Sequence, residues 1–375
     1  MLDRLSTRGV ILLGALGIFV SILIYGPALR WTLSGSNDFR SLYPGGVLAF
    51  TPDLYNFPRA LEVMQQTIHS TTGVWPYDRL PYHALLLWPL AQLPYLTAYW
   101  IWQGLSLGAL IAFACLWPVP SRRIAVLACC WSVPLFTILA EAQDVSFLLL
   151  WIALSVYLMR QERPYCAGLV FALCAAKYHL FVLLPLWIVA YRLWKFAAGF
   201  LTGGGVLLAL SFATAGWGWP VQYAGLLLQP FDGHTVSIMP TLRGVFAGVP
   251  HEFLWELLGS ACVAAAVWLV LRRSGIEQGL AAVLAGGLLV GHHAYVADCA
   301  VLIPALLIVL SSTTLRWQRW NALFLLTPPA TMLMFLGSPV TIMRAALVLL
   351  VFGMAWEVRV NPHRLSLRTS VPANS

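Results

Sequence analysis

The chain has 375 residues, of which 60% are hydrophobic and only 10% charged, with a mean hydropathy of +0.80 and a formal net charge of +8. A water-soluble domain of this length has no interior able to hide so much apolar side chain, so the composition leaves a polytopic membrane protein. The positive charge does not point to nucleic acid, because it falls in short clusters between apolar runs, which is how membrane topology is encoded.

The first apolar run, about Gly9 to Leu29, is long enough to span a bilayer and lacks a small-x-small cleavage pattern, so an uncleaved signal anchor is expected. A long loop, 30–94, follows. It opens with SGSNDFRSLYPGG (34–46), which places Asp38 close to the membrane surface. Two readings of Asp38 stand: an N-cap for a helix starting at Phe39, or a general base facing a membrane-level cavity. Further on, PYHALLLWPLAQLP (81–94) is apolar but only fourteen residues long and bounded by prolines, which suits a helix lying along the interface. Trp75, Tyr77, Tyr82, Trp88 and Tyr95 would form a headgroup-level belt.

Further spans are expected near 95–117, 124–140, 143–159, 197–214, 252–271, 277–296, 298–314, 322–336 and 339–356. The clusters Arg4/Arg8, Arg122/Arg123, Arg160/Arg163, Arg192/Lys195, Arg272/Arg273, Arg316/Arg319 and Arg359/Arg364/Arg368 mark the cytoplasmic ends. Segment 165–191 lies between two such clusters, so parity demands that it cross twice or re-enter within 27 residues. That gives about twelve transmembrane helices, both termini in the cytoplasm, one membrane domain over 1–360 and a polar tail over 361–375.

The outer side then collects most of the acids and histidines. Lys177, midway along the 165–191 stretch, reads either as a snorkelling side chain or as a cation that meets an anion such as phosphate, with His179 and Tyr178 able to add hydrogen bonds. The loop 215–251 brings Asp232, His234 and Arg243, the last read either as a solvated side chain or as a second phosphate ligand. In HHAYVAD (292–298), His293, Tyr295 and Asp298 read as substrate hydrogen-bonders or a proton relay. The two adjacent histidines make a poor metal site on a regular helix, so no metal or cofactor is indicated. Glu141, Gln143 and Asp144 are expected on a solvated hairpin, though sugar binding commonly uses such groups, and Arg344 is expected to snorkel to the outer surface. The seven cysteines have no metal spacing and read as packing residues; Gly199/Gly203 and Gly287/Gly291 read as close helix contacts.

Several stretches, in order, resemble glycosyltransferase family 87. They are DFRSLYPGGVLAFTPDLYN (38–56), PYHALLLWPLAQLPYLTAYWIW (81–102), AQDVSFLLL (142–150), AGLVFALCAAKYHLFVLLPL (167–186), PTLRGVF (240–246) and GHHAYVADCAVLIPAL (291–306). The resemblance implies an all-α GT-C-type bundle, a polyprenyl-phosphate sugar donor and a lipid or glycan acceptor, at the extracytoplasmic face of a bacterial inner membrane. It also implies that Asp38 is the catalytic base, and it matches Lys177 and His293/Tyr295 to family positions. Arg79-Leu80-Pro81, Ala142-Gln143, Tyr178 and Val296 depart from the family pattern. The rival class is a transporter or flippase of an anionic lipid or sugar, and a third is a non-catalytic assembly protein. The latter would lack a carboxylate and a cation converging on one outer cavity.

Overall fold

The computed structural model describes residues 6–26, 29–118, 122–228, 236–335 and 340–360. Arg4, Asp232, His234, Arg364, Arg368 and the tail 361–375 lie outside the described residues. Regular structure among the described residues is all helical. The helices that matter for the site are α1 (Thr7–Tyr25), α2 (Phe39–Val47), α3 (Pro81–Ala91), α4 (Tyr95–Leu116), α5 (Arg122–Trp131), α6 (Val133–Ala140), α7 (Val145–Arg160), α8 (Pro164–Phe171), α9 (Leu184–Ala190), α10 (Trp194–Ala215), α11 (Glu252–Arg273), α12 (Ile276–Val290), α13 (Leu302–Ser312) and α14 (Val340–Val360).

Among the described residues, six helical stretches are long and apolar enough to cross a membrane: α1, α4, Pro164–Phe181, α10, α11 and Thr341–Val360. The pair α5/α6, bent by 63°, would make a seventh. Other apolar helices are shorter than the sequence runs suggested. The run 322–336 is divided between Arg316–Leu326 and Pro328–Phe335. Prolines explain this: each removes a backbone donor and clashes with the preceding turn.

Segment 165–191 folds back on itself. α8 runs into a 3₁₀ stretch, Ala172–Phe181, whose helical geometry breaks at Lys177 (φ −131°, ψ 57°), and α9 returns. Both ends lie at one end of the bundle. Arg160 pairs with Glu277, the Tyr191 hydroxyl lies 3.0 Å from the Ser274 carbonyl and 2.9 Å from that of Gly275, and Trp187 Nε1 donates to the Ile276 carbonyl at 3.0 Å. Lys177 is at the other end. Small residues permit this arrangement. A Cβ on Gly168 would lie 2.0 Å from the Phe196 carbonyl oxygen, and one on Gly199 only 1.9 Å from that of Tyr165. α8 and α10 therefore pack almost backbone to backbone, as the Gly199/Gly203 spacing predicted.

The first loop is anchored rather than loose. Phe39 is fully buried among Tyr43, Tyr95, Tyr99 and Trp102. Tyr95 and Tyr99 donate their hydroxyls to the carbonyls of Gly35 and Thr32, both at 2.5 Å. The expected aromatic belt is thus only partly surface: Trp75 and Trp88 are exposed, whereas Tyr77, Tyr82 and Tyr95 are core residues whose hydroxyls find internal partners. Arg344 does not snorkel. It is buried and donates to the carbonyls of Met239 (2.9 Å) and Ser237, because those inward-turned carbonyls are nearer partners than water. All seven cysteines are free.

Candidate active site

A cavity of about 550 Å³ at the Lys177 end is walled by the start of α2, the turn between α6 and α7, the 3₁₀ stretch around Lys177, and the loop before α13. Asp38, Lys177, His179, His293, Tyr295 and Asp298 all line it. Residues spread over 261 positions of sequence therefore converge. Arg243 is not in the wall. It sits behind it, its Nη1 3.5 Å from the His292 carbonyl oxygen.

Asp38 occupies the N-cap position of α2, but its side chain makes no capping bond. Asn37 Oδ1 accepts from the Phe39 amide at 3.3 Å instead. The Asp38 carboxylate is turned into the cavity, where Oδ2 accepts from Gln143 Nε2. That sets aside the capping reading. Gln143 Oε1 in turn accepts from Lys177 Nζ at 3.0 Å. Lys177 Nζ also donates to Asp298 Oδ1 at 2.7 Å and lies 3.6 Å from Asp144 Oδ1. A continuous polar chain thus runs from Asp38 through the Gln143 amide to a buried cation held by two carboxylates.

The same turn corrects a second expectation. Glu141, Gln143 and Asp144 do not form a solvated hairpin. Asp144 is 1% exposed, and Arg79 Nε donates to its Oδ2 at 2.7 Å. The turn is tight because Ala142 takes the left-handed conformation (φ 54°), which costs a non-glycine residue about 1 kcal/mol. Neighbours hold its carbonyls: Ala140 accepts from Asn37 (2.8 Å) and Thr32 (3.1 Å), Leu139 from Gln103 (2.7 Å) and Ala142 from Trp102 (2.9 Å). These bonds satisfy groups that burial would otherwise orphan and set Glu141 and Gln143 in the cavity wall, with Asp144 behind them.

Electrostatics differentiate the carboxyls. Burial pushes Asp38 above the usual carboxylate range, opposed by the Gln143 hydrogen bond and by the charges of Lys177 and Arg79. Burial acts on Asp144 the same way, yet Arg79, Lys177 and His83 together hold it below that range. Glu141 is raised to about 8 by burial, then by the negative charges of Asp38 and Asp298. Among the cavity's carboxylates, Asp78 and Asp298 have a cation and Asp38 has Gln143, whereas Glu141 has no hydrogen bond or ion pair among the described residues; Asp144, behind the wall, is paired with Arg79. Sequence reasoning missed Arg79 and Asp144. Their only signal was a charge standing directly before, or directly at the start of, an apolar helix.

No group of three or more His, Cys, Asp and Glu side chains suited to a metal ion occurs among the described residues. The fold and the acid-lined cavity define a multi-pass membrane protein with a polar site at one end of its bundle. The model of glycosyltransferase family 87 matches residues 81–292, more than half of the chain, and the chain belongs to that family. It is therefore a glycosyltransferase. The matched region holds Gln143, Asp144, Lys177, His179 and Arg243; Asp38, His293, Tyr295 and Asp298 lie outside it. No curated protein and no solved structure matches the chain.

Proposed function

We propose that this glycosyltransferase moves a hexose, mannose, from a polyprenyl-phosphate donor to a hydroxyl of a lipid or glycan acceptor, inverting the anomeric configuration. The acceptor oxygen bonds to the anomeric carbon, the bond from that carbon to the phosphate oxygen breaks, and polyprenyl phosphate leaves with the electron pair. The acceptor's proton passes to Asp38. An oxocarbenium-like transition state needs a base on one face of the sugar and a stabilised leaving group on the other.

The observation that carries this reading is the convergence of Asp38, raised as a base by burial, with a cation and two histidines around one cavity. Two carboxylates and Gln143 already engage Lys177, so its role is to hold the amide that orients Asp38 and to add positive potential. The donor phosphate is given to His179, His293 and Tyr295. His179 Nε2 is buried with no hydrogen-bond partner and is suited to donate to a phosphate oxygen. Arg243, behind His292, adds charge from the second layer.

In this reading the chain crosses a bacterial inner membrane about twelve times, with both termini in the cytoplasm and the cavity facing outward. α3 lies along the outer surface, with Leu86 and Trp88 toward lipid. Purified protein in vesicles, supplied with polyprenyl-phosphate mannose and an alkyl mannoside, tests the reading. Transfer abolished by Asp38→Asn supports it; undiminished transfer by that variant removes Asp38 as base.

A further inference from the structure

A second and larger cavity, about 740 Å³, lies at the opposite end of the bundle and shares no lining residue with the site above. Its volume is within the roughly 300–1,000 Å³ typical of pockets that hold small molecules. Both arms of the folded-back segment wall it, with Pro164 and Phe171 from α8 and Trp187 and Tyr191 from α9; Leu280 of α12 and Ile308 of α13 complete its apolar side. The α-helical parts of the arms are short, at 8 and 7 residues, and a 3₁₀ stretch that breaks at Lys177 joins them, so the segment doubles back and its two ends both face this cavity. An apolar wall with polar and charged groups along one part of the lining suits an amphipathic occupant.

The charged residues of the lining are balanced, Arg160 and Lys195 against Glu162 and Glu277, and the excess of positive charge comes from Arg163, Arg192 and Arg273, each next in sequence to a lining residue. Arg160 consumes Glu277 through contacts of 2.9 and 2.5 Å. Lys195 lines the mouth, makes no hydrogen bond or ion pair among the described residues, and stands one residue from Trp194, which is 60% exposed. Tyr157 and Tyr165, also exposed, each follow a lining residue, Val156 and Pro164, in the chain. Exposed aromatics beside unpaired cations are the composition of a headgroup-level surface.

We propose that this cavity binds one anionic glycerophospholipid, an acyl chain entering between α8 and α9 and the phosphodiester resting on Lys195 and the surrounding arginines. Basic pockets between membrane helices recognise anionic headgroups in this way. The inference rests on the reading above only for the leaflet, which is the cytoplasmic one. A seated chain would brace the two arms whose turn carries Lys177 to the distant site.

Protein freed of lipid in detergent is incubated with equal phosphatidylglycerol and phosphatidylethanolamine, and retained lipid is counted by native mass spectrometry. Wild type is expected to retain phosphatidylglycerol preferentially and to melt at higher temperature with it. Lys195→Glu, a charge reversal at the rim, and Met159→Trp, which fills the mouth, are each expected to reduce its retention about tenfold. Equal retention of both lipids, no retention by wild type, or full retention by both variants overturns the proposal. Sugar transfer is not read in this experiment, so its outcome is separate from that of the Asp38→Asn test.

Discussion

Lys177 and Asp298 meet at 2.7 Å across 121 positions of sequence, with both side chains more than nine-tenths buried. The contact joins two parts of the cavity wall, since Lys177 comes from the break in one 3₁₀ stretch and Asp298 from another, Ala297–Val301, just before α13. Asp298 is itself fixed by the Tyr295 amide, which donates to its other oxygen at 2.9 Å.

Lys177→Met leaves Asp298 and Asp144 facing each other with one cation fewer. Breaking a buried ion pair by removing one partner costs about 3–5 kcal/mol, so thermal or denaturant unfolding should show a loss of that order. Lys177→Arg keeps the charge and should recover part of it. A variant as stable as wild type would show that the pair adds nothing to the fold.

Asp38→Asn removes the base but keeps a side chain able to bond with Gln143. Stability should change little, while the transfer rate should fall about 10²–10⁴-fold, the usual contribution of a general base. Gln143→Ala acts indirectly. It deletes the largest influence holding Asp38 down, so the Asp38 pKa rises and the acid limb of the rate profile moves to higher pH. The rate above that limb should survive much better than in Asp38→Asn. An unmoved limb would dissociate Gln143 from the base.

The outline of this site was legible in the sequence because hydrophobic runs and basic clusters fix which loops share an end of the bundle. Asp38, Lys177, His179, His293, Tyr295 and Asp298 were placed at one end on that logic, with the family resemblance adding roles for Asp38, Lys177, His293 and Tyr295, and they line one cavity. What could not be read was pairing. Asp144 looked solvated because it sits in a four-residue turn, and only tertiary contact with Arg79, from a loop 65 positions away, buries it. Arg344 looked like a snorkelling side chain for the same reason: its carbonyl partners on Ser237 and Met239 come from a distant loop. Arg243, read either as solvated or as a second phosphate ligand, does not line the cavity and sits against the His292 carbonyl. Its loop was placed at the correct end, but periodicity does not say which side of a wall a loop residue occupies.

Glu141 gives the site an alkaline limit. With its pKa raised to about 8, the carboxyl is neutral at pH 7 and charges as pH rises past 8, placing a second negative charge near Asp38. Folded protein holds this proton more tightly than the unfolded chain does. Stability from this group is therefore complete below its ordinary pKa of 4.5 and is lost as pH rises toward 8. Glu141→Gln should flatten the fall in melting temperature between pH 5 and 8.5 and extend activity to higher pH. An unchanged profile in both measurements would show that Glu141 titrates normally.

Gly168 and Gly199 set the position of Lys177 from a distance. A Cβ at either would fall about 2 Å from a carbonyl oxygen of the facing helix, and because backbone cannot rotate away as a side chain can, α8 and α10 would have to separate. Overpacking of this kind costs typically about 1–3 kcal/mol. Gly168→Ala should lower the melting temperature and, because α8 leads directly into the 3₁₀ stretch, should also weaken the Lys177 contacts with Gln143 and Asp298. The signature that separates this from simple destabilisation is the acid limb. Loss of the cation's influence on Asp38 should shift it upward in Gly168→Ala but not in an equally destabilised variant of α14, such as Leu350→Ala.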